Sequence, residues 1–188
     1  MSTITEQNFA QYPICVDLDG TLWAGDCLWL CARAFLKRNP LGIFQLLFWW
    51  YKGRTHLKHH LLNFVSFDPG KLSFFQDILQ YLLLLKEQGA QIYLITGSDQ
   101  QIADKVSAHL NIFEGAFGST LGNNLVGKKK ATLLNSLFRE KNYIYFGNEW
   151  KDRFVWQHSI AAGAVNVDQK TLNWLNAQPF YTRRFICK

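Results

Sequence analysis

Short apolar runs alternate with helical patterns along most of this sequence. The runs predict strands, and the patterns between them place apolar residues three and four positions apart, as in amphipathic helices. We predict strands at Pro13–Val16, Gln91–Thr96, Ala116–Ser119, Tyr143–Gly147 and Ala164–Val167, and helices at Phe74–Gln88, Gln100–Leu110, Lys129–Lys141 and Arg153–Ala161. Because a helix between two strands carries the chain back to begin a parallel neighbour, the alternation indicates an α/β fold, a Rossmann-like parallel sheet with helices on both faces.

A long segment interrupts this alternation after the first predicted strand. About fifty residues separate Leu22 from Ser73, which is too many for a simple loop in a compact domain. They form two or three helical patterns, broken at Asn39-Pro40 and near Lys52-Gly53 because Pro and Gly end helices. We therefore predict a small helical cap at residues 23–73, inserted into an α/β core formed by residues 1–22 and 74–188.

The predicted cap is basic and aromatic. The stretch from Cys27 to Phe67 has no Asp or Glu, and the six cations in that stretch equal the net charge of +6 of the whole chain. The cations are Arg33, Lys37, Arg38, Lys52, Arg54 and Lys58, and the aromatic residues include Trp29, Phe35, Phe44, Phe48, Trp49, Trp50 and Tyr51. Two interpretations remain open: an aromatic core of the cap with lysines facing solvent, or a surface or apolar pocket that meets an anionic membrane or a prenyl chain. Nucleic acid is the weaker interpretation, because the chain contains no recognisable nucleic-acid module.

No segment predicts secretion or a membrane span. Met1–Gln11 is polar and lacks the features of a signal peptide, and the longest apolar segment, Leu41–Tyr51, is too short to cross a bilayer. The four cysteines form no CxxC pair and are typical of small buried residues in a reducing compartment. We therefore predict a cytoplasmic protein, with peripheral membrane contact through the cap as a further expectation. The three histidines of the cap have no acid or Cys at ligand spacing, which favours a solvated helix over a metal site; they are His56, His59 and His60.

The segment Asp17–Leu22 places two carboxylates where the first predicted strand ends. Asp17 and Asp19 follow the strand, and Gly20 and Thr21 turn the chain. In an open α/β sheet, the carboxyl ends of the strands are where ligands bind. There one carboxylate can attack an electrophile, the other can transfer a proton, and both can help to hold a divalent cation. The alternative is an ordinary loop in which Asp side chains cap the turn.

Residues at the end of the second predicted strand suit phosphate binding. Thr96 supplies a hydroxyl, and Gly97 follows it where the chain opens into a helix with free backbone N–H groups. Such a strand end forms an anion cradle. The alternative is an ordinary helix N-cap by Ser98 or Asp99.

Two later segments carry charged groups at the same expected edge of the sheet. Gly127–Ala131 contains three lysines where a helix begins, and a lysine there is either a solvated surface charge or a group that neutralises a phosphate. Tyr145–Asp152 supplies Asp152 after the fourth predicted strand, with Asn148 and Glu149 preceding it.

Taken in this order, the four segments resemble the motifs of the haloacid dehalogenase-like (HAD) superfamily, most of whose members are magnesium-dependent phosphohydrolases. The resemblance covers roughly Ile14 to Val167 and is closest to the phosphoserine-phosphatase-like branch with a helical cap. It implies that Asp17 attacks phosphorus to form an aspartyl phosphate. It also implies that Asp19 protonates the leaving oxygen and then activates water.

The same resemblance implies roles for the later residues. Thr96 and Gly97 would bind the phosphoryl group, and Asp152 would orient the lysine or metal-bound water. In the phosphoserine-phosphatase-like branch, the phosphate-binding lysine is followed by Ala and, three residues on, by Leu. The segment Lys130-Ala131-Thr132-Leu133 fits that pattern and favours Lys130 over Lys128.

Asn148 departs from the family pattern. HAD members have at this position an Asp that binds Mg²⁺, so the resemblance implies an ion held by Asp17, the main-chain carbonyl of Asp19, and Asn148. An Asn carbonyl supplies oxygen without charge, so we expect weaker metal binding, with Glu149 as a candidate substitute ligand. The alternative is a degraded site.

A narrower resemblance is to the HAD-like domain fused ahead of UbiA-type prenyltransferases. The shared features are Asp17–Leu22, the segment Arg38-Asn39-Pro40-Leu41, and Trp156. Together the resemblances imply a Mg²⁺-dependent phosphohydrolase acting on a small or lipid- or prenyl-linked phosphate monoester. The alternative is a catalytically weakened HAD-like accessory or binding protein, associated with membrane lipid or a prenyltransferase.

Overall fold

The computed structural model describes residues 6–187 and places six strands in one parallel sheet. In chain order the strands are β1 (Ile14–Val16), β2 (Ile92–Asp99), β3 (Gly115–Ser119), β4 (Ile144–Gly147), β5 (Ala161–Val165) and β6 (Tyr181–Phe185). Their order across the sheet is β3-β2-β1-β4-β5-β6, and every neighbouring pair is parallel. The predicted parallel α/β fold is confirmed.

Eight α-helices connect and cover these strands in the described part of the chain. They are α1 (Cys27–Arg38), α2 (Ile43–Tyr51), α3 (Arg54–Leu62), α4 (Gln76–Glu87), α5 (Gln100–Leu110), α6 (Lys128–Phe138), α7 (Arg153–Trp156) and α8 (Gln169–Asn176). Within residues 6–187, no helix combines the length and the apolar character that crossing a bilayer requires.

The central strands send alternate side chains into two buried cores. Ile14 and Val16 of β1 belong to one core, while Cys15 between them belongs to the other, as the two-residue repeat of a strand requires. The first core receives residues from α1, α4 and α5, including Cys31, Ile78 and Val106, and the second receives residues from α6, α7 and α8, including Leu134, Trp156 and Leu175. The four cysteines are free and buried, as predicted, and the cytoplasmic location stays a prediction.

Three helices, α1 to α3, lie between β1 and α4, where the sequence predicts the cap. The chain leaves and re-enters the α/β core at adjacent points, because Trp23 pairs with Phe74 and the Phe75 N–H donates to the Leu22 carbonyl at 2.8 Å. Helices end at Arg38 and Tyr51, next to the predicted breaks. The division of the chain into cap and core domains stays a prediction.

The aromatic residues of the cap separate into two groups. Phe35, Trp49 and Phe64 pack on one another with ring centroids 5.4–5.7 Å apart. Five others are exposed to solvent: Trp29, Phe44, Phe48, Trp50 and Tyr51. An aromatic core of the cap therefore accounts for the three packed rings. It does not explain why the other five are exposed.

Lys58 of α3 connects the cap to the α/β core. Its ammonium donates to the Gly97 carbonyl and, at 2.8 Å, to Asn124 Oδ1. The side chain is buried, and burial together with the charge of Arg54 lowers the pKa of Lys58 to about 8. The sequence interpretation, which placed the lysines of the cap on its solvent face, is wrong for this residue.

The structure also corrects the fifth strand and the helix before it. The predicted helix Arg153–Ala161 ends at Trp156, and β5 begins at Ala161 rather than at Ala164. The strand is rich in alanine because it packs closely: a Cβ on Gly163 would lie 2.2 Å from the ring of Phe146. Small residues with weak strand preference therefore form a fully buried strand here.

The sheet ends at an edge strand, β6, for which the sequence analysis predicts no strand. Tyr181–Phe185 pairs with β5 along its whole length. Phe185 is buried against Tyr81 and Phe146, with ring centroids 5.1 Å and 5.8 Å away. Beyond the strand, the Asn166 side chain exchanges two hydrogen bonds with the backbone of Cys187.

The edge strand predicts a local contrast in stability. We expect Phe185→Ala to lower the free energy of unfolding by about 3 kcal/mol, because it removes a buried ring from the first core. Its exposed neighbour Ile186 is the matched control, and Ile186→Ala should change stability by no more than about 0.5 kcal/mol. Urea denaturation measures both, and equal effects would contradict the packing of β6.

The buried ammonium of Lys58 predicts a pH-dependent contribution to stability. Its pKa is about 8 in the folded protein against 10.5 ordinarily, so between these values the unfolded chain binds more protons than the folded one. Stability from this group therefore rises with pH across that range. The stability difference between wild type and Lys58→Met should move in favour of the wild type from the lower to the upper end of the range. The exposed Lys52 provides the control Lys52→Met, and parallel pH profiles for all three proteins would contradict the burial of a charged Lys58.

Candidate active site

The segments that follow Val16 of β1, Leu94 of β2 and Phe146 of β4 open into one cavity. Val16 is in register with Leu94 on one side and Phe146 on the other, so the residues that follow these positions meet at one edge of the sheet. The cavity has a volume of about 330 Å³. Six of the seven residues singled out from the sequence line it: Asp17, Asp19, Gly97, Lys130, Asn148 and Asp152.

Asp17 and Lys130 form a buried ion pair at this cavity. Lys130 Nζ lies 3.1 Å from Asp17 Oδ2, and the two side chains are 3% and 9% exposed. Burial raises the pKa of Asp17 to about 7, although the charge of Lys130 opposes this rise. Burial disfavours the charge on Lys130 as well, but the attraction of Asp17 and Asp152 prevails and raises the pKa of the lysine. Lys128, the alternative considered from the sequence, is exposed and lies over the ring of Phe154.

Tyr145 and Asp152 complete the surroundings of Lys130. The lysine donates to the Tyr145 hydroxyl at 2.7 Å, and the hydroxyl donates to Asp152 Oδ1 at 2.9 Å. The other oxygen of Asp152 accepts the backbone N–H groups of Asn148 and Glu149, both at 3.0 Å. Asp152 thus fixes the loop after β4 and contacts the lysine through the Tyr145 hydroxyl; the role of orienting the lysine, which the family resemblance implies for it, stays a prediction. Tyr145 was missed, because a tyrosine within an apolar strand reads as a core residue.

Asp19 is held by three hydrogen bonds. Its Oδ1 accepts the Cys27 N–H at 2.8 Å and the indole N–H of Trp23 at 3.2 Å, and its Oδ2 accepts the Ser98 hydroxyl at 2.6 Å. These donors come from the turn after β1, the start of α1 and the end of β2. The carboxylate is therefore fixed at the cavity wall.

Thr96 is the predicted residue that the structure does not bring into the cavity. Its side chain is fully buried, and its Oγ1 accepts the Ser98 N–H at 3.0 Å. Gly97 and Ser98 line the cavity instead. The hydroxyl of Ser98, two residues on, is the one at the cavity wall, where it donates to Asp19 Oδ2 at 2.6 Å. Ser98 was considered from the sequence only as a helix cap, and the residue that caps α5 is Asp99.

Asn148 packs beneath the turn that follows β1. Its Oδ1 accepts the Thr21 hydroxyl at 3.2 Å. Gly20 adopts a left-handed φ of +73°, and a Cβ there would lie 2.0 Å from Asn148 Nδ2. Only glycine therefore allows this turn to approach Asn148 so closely.

The residues around Asn148 fit a magnesium ion, although they provide few charges. Asp17 and Asn148 offer hard oxygen donors at the cavity, and Glu149 also lines it. Mg²⁺ is commonly bound through one or two carboxylates, with water and substrate phosphate completing its shell. Among residues 6–187, no cluster of three or more His, Cys, Asp or Glu side chains could hold a metal alone. The cap histidines are not part of any such cluster in this range.

The cap contributes cations that sequence reasoning did not assign to the site. Arg54 and Lys58 of α3 line the same cavity as Asp17 and Lys130. They stand four residues apart, so they lie on one face of the helix. That spacing was the available signal, but an i, i+4 pair of cations is equally typical of a solvated surface.

Sequence comparison finds one long relative. No protein-family model matches this chain. The uncharacterized protein y4nM of Sinorhizobium fredii is 34% identical over 155 residues, which are 82% of this chain. The chain spans about 30% of the length of that curated relative. The narrower resemblance to prenyltransferase-fused domains stays a prediction.

Structural comparison agrees with the wider resemblance. A HAD family hydrolase, t0658 from Salmonella enterica serovar Typhi, superposes with a TM-score of 0.68 at 16% identity, covering 93% of this chain and 68% of that one. The phospho-aspartyl intermediate analogue of a phosphoserine phosphatase superposes with a TM-score of 0.61 at 12% identity, covering 86% and 90%. The predicted HAD-like architecture is confirmed at the level of fold. This chain therefore has the fold of the HAD-family hydrolases and phosphoserine phosphatases.

Proposed function

We propose that this protein is a phosphohydrolase that cleaves a phosphate monoester through an aspartyl phosphate on Asp17. The observation that carries the proposal is the buried pair of Asp17 and Lys130, 3.1 Å apart, at a cavity that Asp19 also lines. A nucleophile, a cation for the phosphate oxygens and a second carboxylate for proton transfer are the parts that phosphoryl transfer requires. The fold shared with a phosphatase captured as a phospho-aspartyl analogue supports the same chemistry.

The reaction proceeds in two displacements at phosphorus. In the first, a carboxylate oxygen of Asp17 forms a bond to phosphorus while the bond to the leaving oxygen breaks, and Asp19 gives that oxygen its proton. In the second, Asp19 takes a proton from water, the water oxygen bonds to phosphorus, and the bond to Asp17 breaks to release phosphate. Lys130 neutralises the phosphate oxygens throughout, and Tyr145 and Asp152 keep it in position.

Asp17 must be ionised to attack, and its surroundings bear on this requirement. Burial raises the pKa of Asp17 to about 7 in the protein alone. Lys130 favours the ionised form, and a second cation beside the carboxylate favours it further. Mg²⁺, held by Asp17, Asn148 and the main chain of Asp19, would supply that positive charge and neutralise the substrate phosphate.

The proposed substrate is an anionic phosphate monoester, either a small molecule or a lipid-linked one. Two cap cations, Arg54 and Lys58, line the cavity opposite the sheet edge. They add positive charge beyond what Lys130 provides for the transferred phosphate. A leaving group bound under the cap would meet these cations, which favours substrates that carry further negative charge there.

A second candidate function is that of a catalytically weakened binding protein. The observation that favours it is Asn148, which replaces a charged metal ligand with a neutral amide whose oxygen already accepts the Thr21 hydroxyl. Such a protein would bind a phosphorylated ligand in the same cavity with little turnover. The two candidate functions differ in whether turnover requires Mg²⁺ and in how Asn148→Asp changes turnover.

The first test of the proposed function concerns the nucleophile, Asp17. Phosphate release from an aryl phosphate should require Mg²⁺, and Asp17→Asn should lower it by about a thousandfold or more because the covalent step is lost. The variant should still fold, because Asp152 remains near Lys130, but its melting temperature should fall, since the buried lysine loses the nearer of its two carboxylates. The exposed Asp104 provides the control Asp104→Asn, which should keep full activity. Undiminished turnover by Asp17→Asn would exclude the mechanism.

The second prediction concerns the metal site. Asn148→Asp adds a charge where the ion binds, so the Mg²⁺ concentration for half-maximal activity should fall by about tenfold. If the wild type is inactive and only Asn148→Asp turns over, the weakened binding protein is the correct function. An active wild type whose metal dependence is unchanged by Asn148→Asp would show that residue 148 is not a ligand.

A further inference from the structure

Helix α2 exposes an unusually apolar face. None of its nine residues is buried, and the segment Leu41–Tyr51 contains no charged side chain. Seven large apolar or aromatic side chains of this segment are exposed by between 42% and 89%; we call them the α2 face, and they are Leu41, Ile43, Phe44, Leu47, Phe48, Trp50 and Tyr51. So many exposed apolar residues in one segment mark a surface that lipid or another molecule covers.

Packing of the cap does not account for these residues. The inward side of α2 is supplied by Leu46 and Trp49, which pack against the first core. Trp49 stacks on Phe64 and His60, with ring centroids 5.4 Å and 5.8 Å away. These contacts hold the helix on the cap while the remaining side chains face outward, so the α2 face is a built surface rather than a poorly packed core.

The charges around the α2 face select an anionic partner. Lys37 and Arg38 precede the segment, Lys52 follows it, and the stretch from Cys27 to Phe67 contains no acid. Lys52 Nζ lies 4.5 Å from the centroid of the Phe48 ring, so a cation sits at the border of the apolar face. A second copy of this chain would bring the same cations together, and their repulsion argues against self-association through this face.

The shape and composition of the segment match a bilayer surface. A nine-residue helix is about 14 Å long, which suits a helix lying in the interface and not one crossing the hydrocarbon layer. Trp50 and Tyr51 stand beside Lys52 at the end of the helix. Aromatic rings next to basic residues are characteristic of the headgroup region, where the rings enter the apolar boundary and the cations meet lipid phosphates.

We propose that the α2 face docks on an anionic phospholipid membrane, with α2 lying in the headgroup region. This inference does not depend on the proposed catalytic activity. It places the cavity close to the lipid surface, because cavity-lining Arg54 follows Tyr51 by three residues, a distance of at most about 11 Å between Cα atoms.

Vesicle co-sedimentation tests the apolar part of the proposal. The wild type should sediment with phosphatidylcholine vesicles that contain phosphatidylserine, and much less with pure phosphatidylcholine. Phe44→Ser with Trp50→Ser should weaken binding by about tenfold or more. Leu83 and Leu84 of α4 are exposed apolar residues outside the cap, so Leu83→Ser with Leu84→Ser is the matched control and should bind like the wild type.

A second pair of variants tests the charges. Lys37→Glu with Lys52→Glu should also weaken binding by about tenfold or more, whereas Lys105→Glu with Lys129→Glu changes the net charge equally on exposed residues elsewhere and should have a small effect. Hydrolysis of a soluble aryl phosphate is expected to be the same in all four variants, which separates docking from catalysis.

Three results would overturn the proposal. The wild type could remain in the supernatant with anionic vesicles at low salt. The control pairs could lose binding as much as the α2 pairs, which would indicate a nonspecific charge or folding effect. Analytical ultracentrifugation could show a dimer that Phe44→Ser with Trp50→Ser dissociates, in a protein that does not bind vesicles; a second copy would then be what covers the α2 face.

Discussion

The ammonium of Lys130 is almost completely buried, and the arrangement of the site follows from the need to pair its charge. An unpaired ammonium at this depth would cost several kcal/mol. Its two carboxylate partners come from different parts of the chain: Asp17 follows β1, and Asp152 begins α7 after β4. Lys130 itself stands in the first turn of α6. Only the parallel register of β1 and β4 brings these segments together, so a shift in that register would separate the ion pair as well as the core.

The cluster around Lys130 contains two acids, Asp17 and Asp152, and one lysine. Tyr145 allows this composition without a further cation. Burial raises the pKa of its hydroxyl well above the ordinary value, so the group stays a neutral donor. It accepts from Lys130 and donates to Asp152, and Trp156 below it donates to its backbone carbonyl at 3.0 Å. Both rings belong to the second core. The groups around Lys130 are thus fixed by core packing before any ligand arrives, which is how electrostatic preorganisation is achieved.

The sequence was sufficient for the parts of the fold that strong periodicity determines. Helix α5 begins and ends where its pattern predicts, and β1, β2, β3 and β4 lie within a few residues of their predicted positions. The misses have separate physical causes. Four of the five residues of β5 are three alanines and a glycine, whose intrinsic preferences disfavour strands, and tertiary packing against Phe146 overrides those preferences. β6 is basic and aromatic, so its residues do not form a recognisable strand pattern. Only the structure shows that it pairs with the open edge of β5.

The site was predictable to the extent that its residues stand next to strand ends. Asp17, Asp19, Lys130 and Asp152 fall into this class, because each follows or faces a strand end at a recognisable motif. Ser98 and Lys58 do not. Thr96 and Ser98 are two residues apart on β2 and so share a face of the strand, and the sequence does not show which of them lines the cavity. A lysine on a cap helix likewise has no sequence signature that separates burial from exposure. Long-range packing decides both which hydroxyl of β2 lines the cavity and whether Lys58 is buried. No local pattern in a single sequence reveals such packing.

Lys58 has a consequence for how firmly α3 is held on the α/β core. Its two hydrogen-bond partners, the Gly97 carbonyl and Asn124 Oδ1, are neutral, so they compensate the burial of this cation only in part. Returning the ammonium to water would break both bonds, and the hydration recovered would offset much of the loss. The contact therefore fixes where α3 lies on the core while adding little to the net free energy of folding.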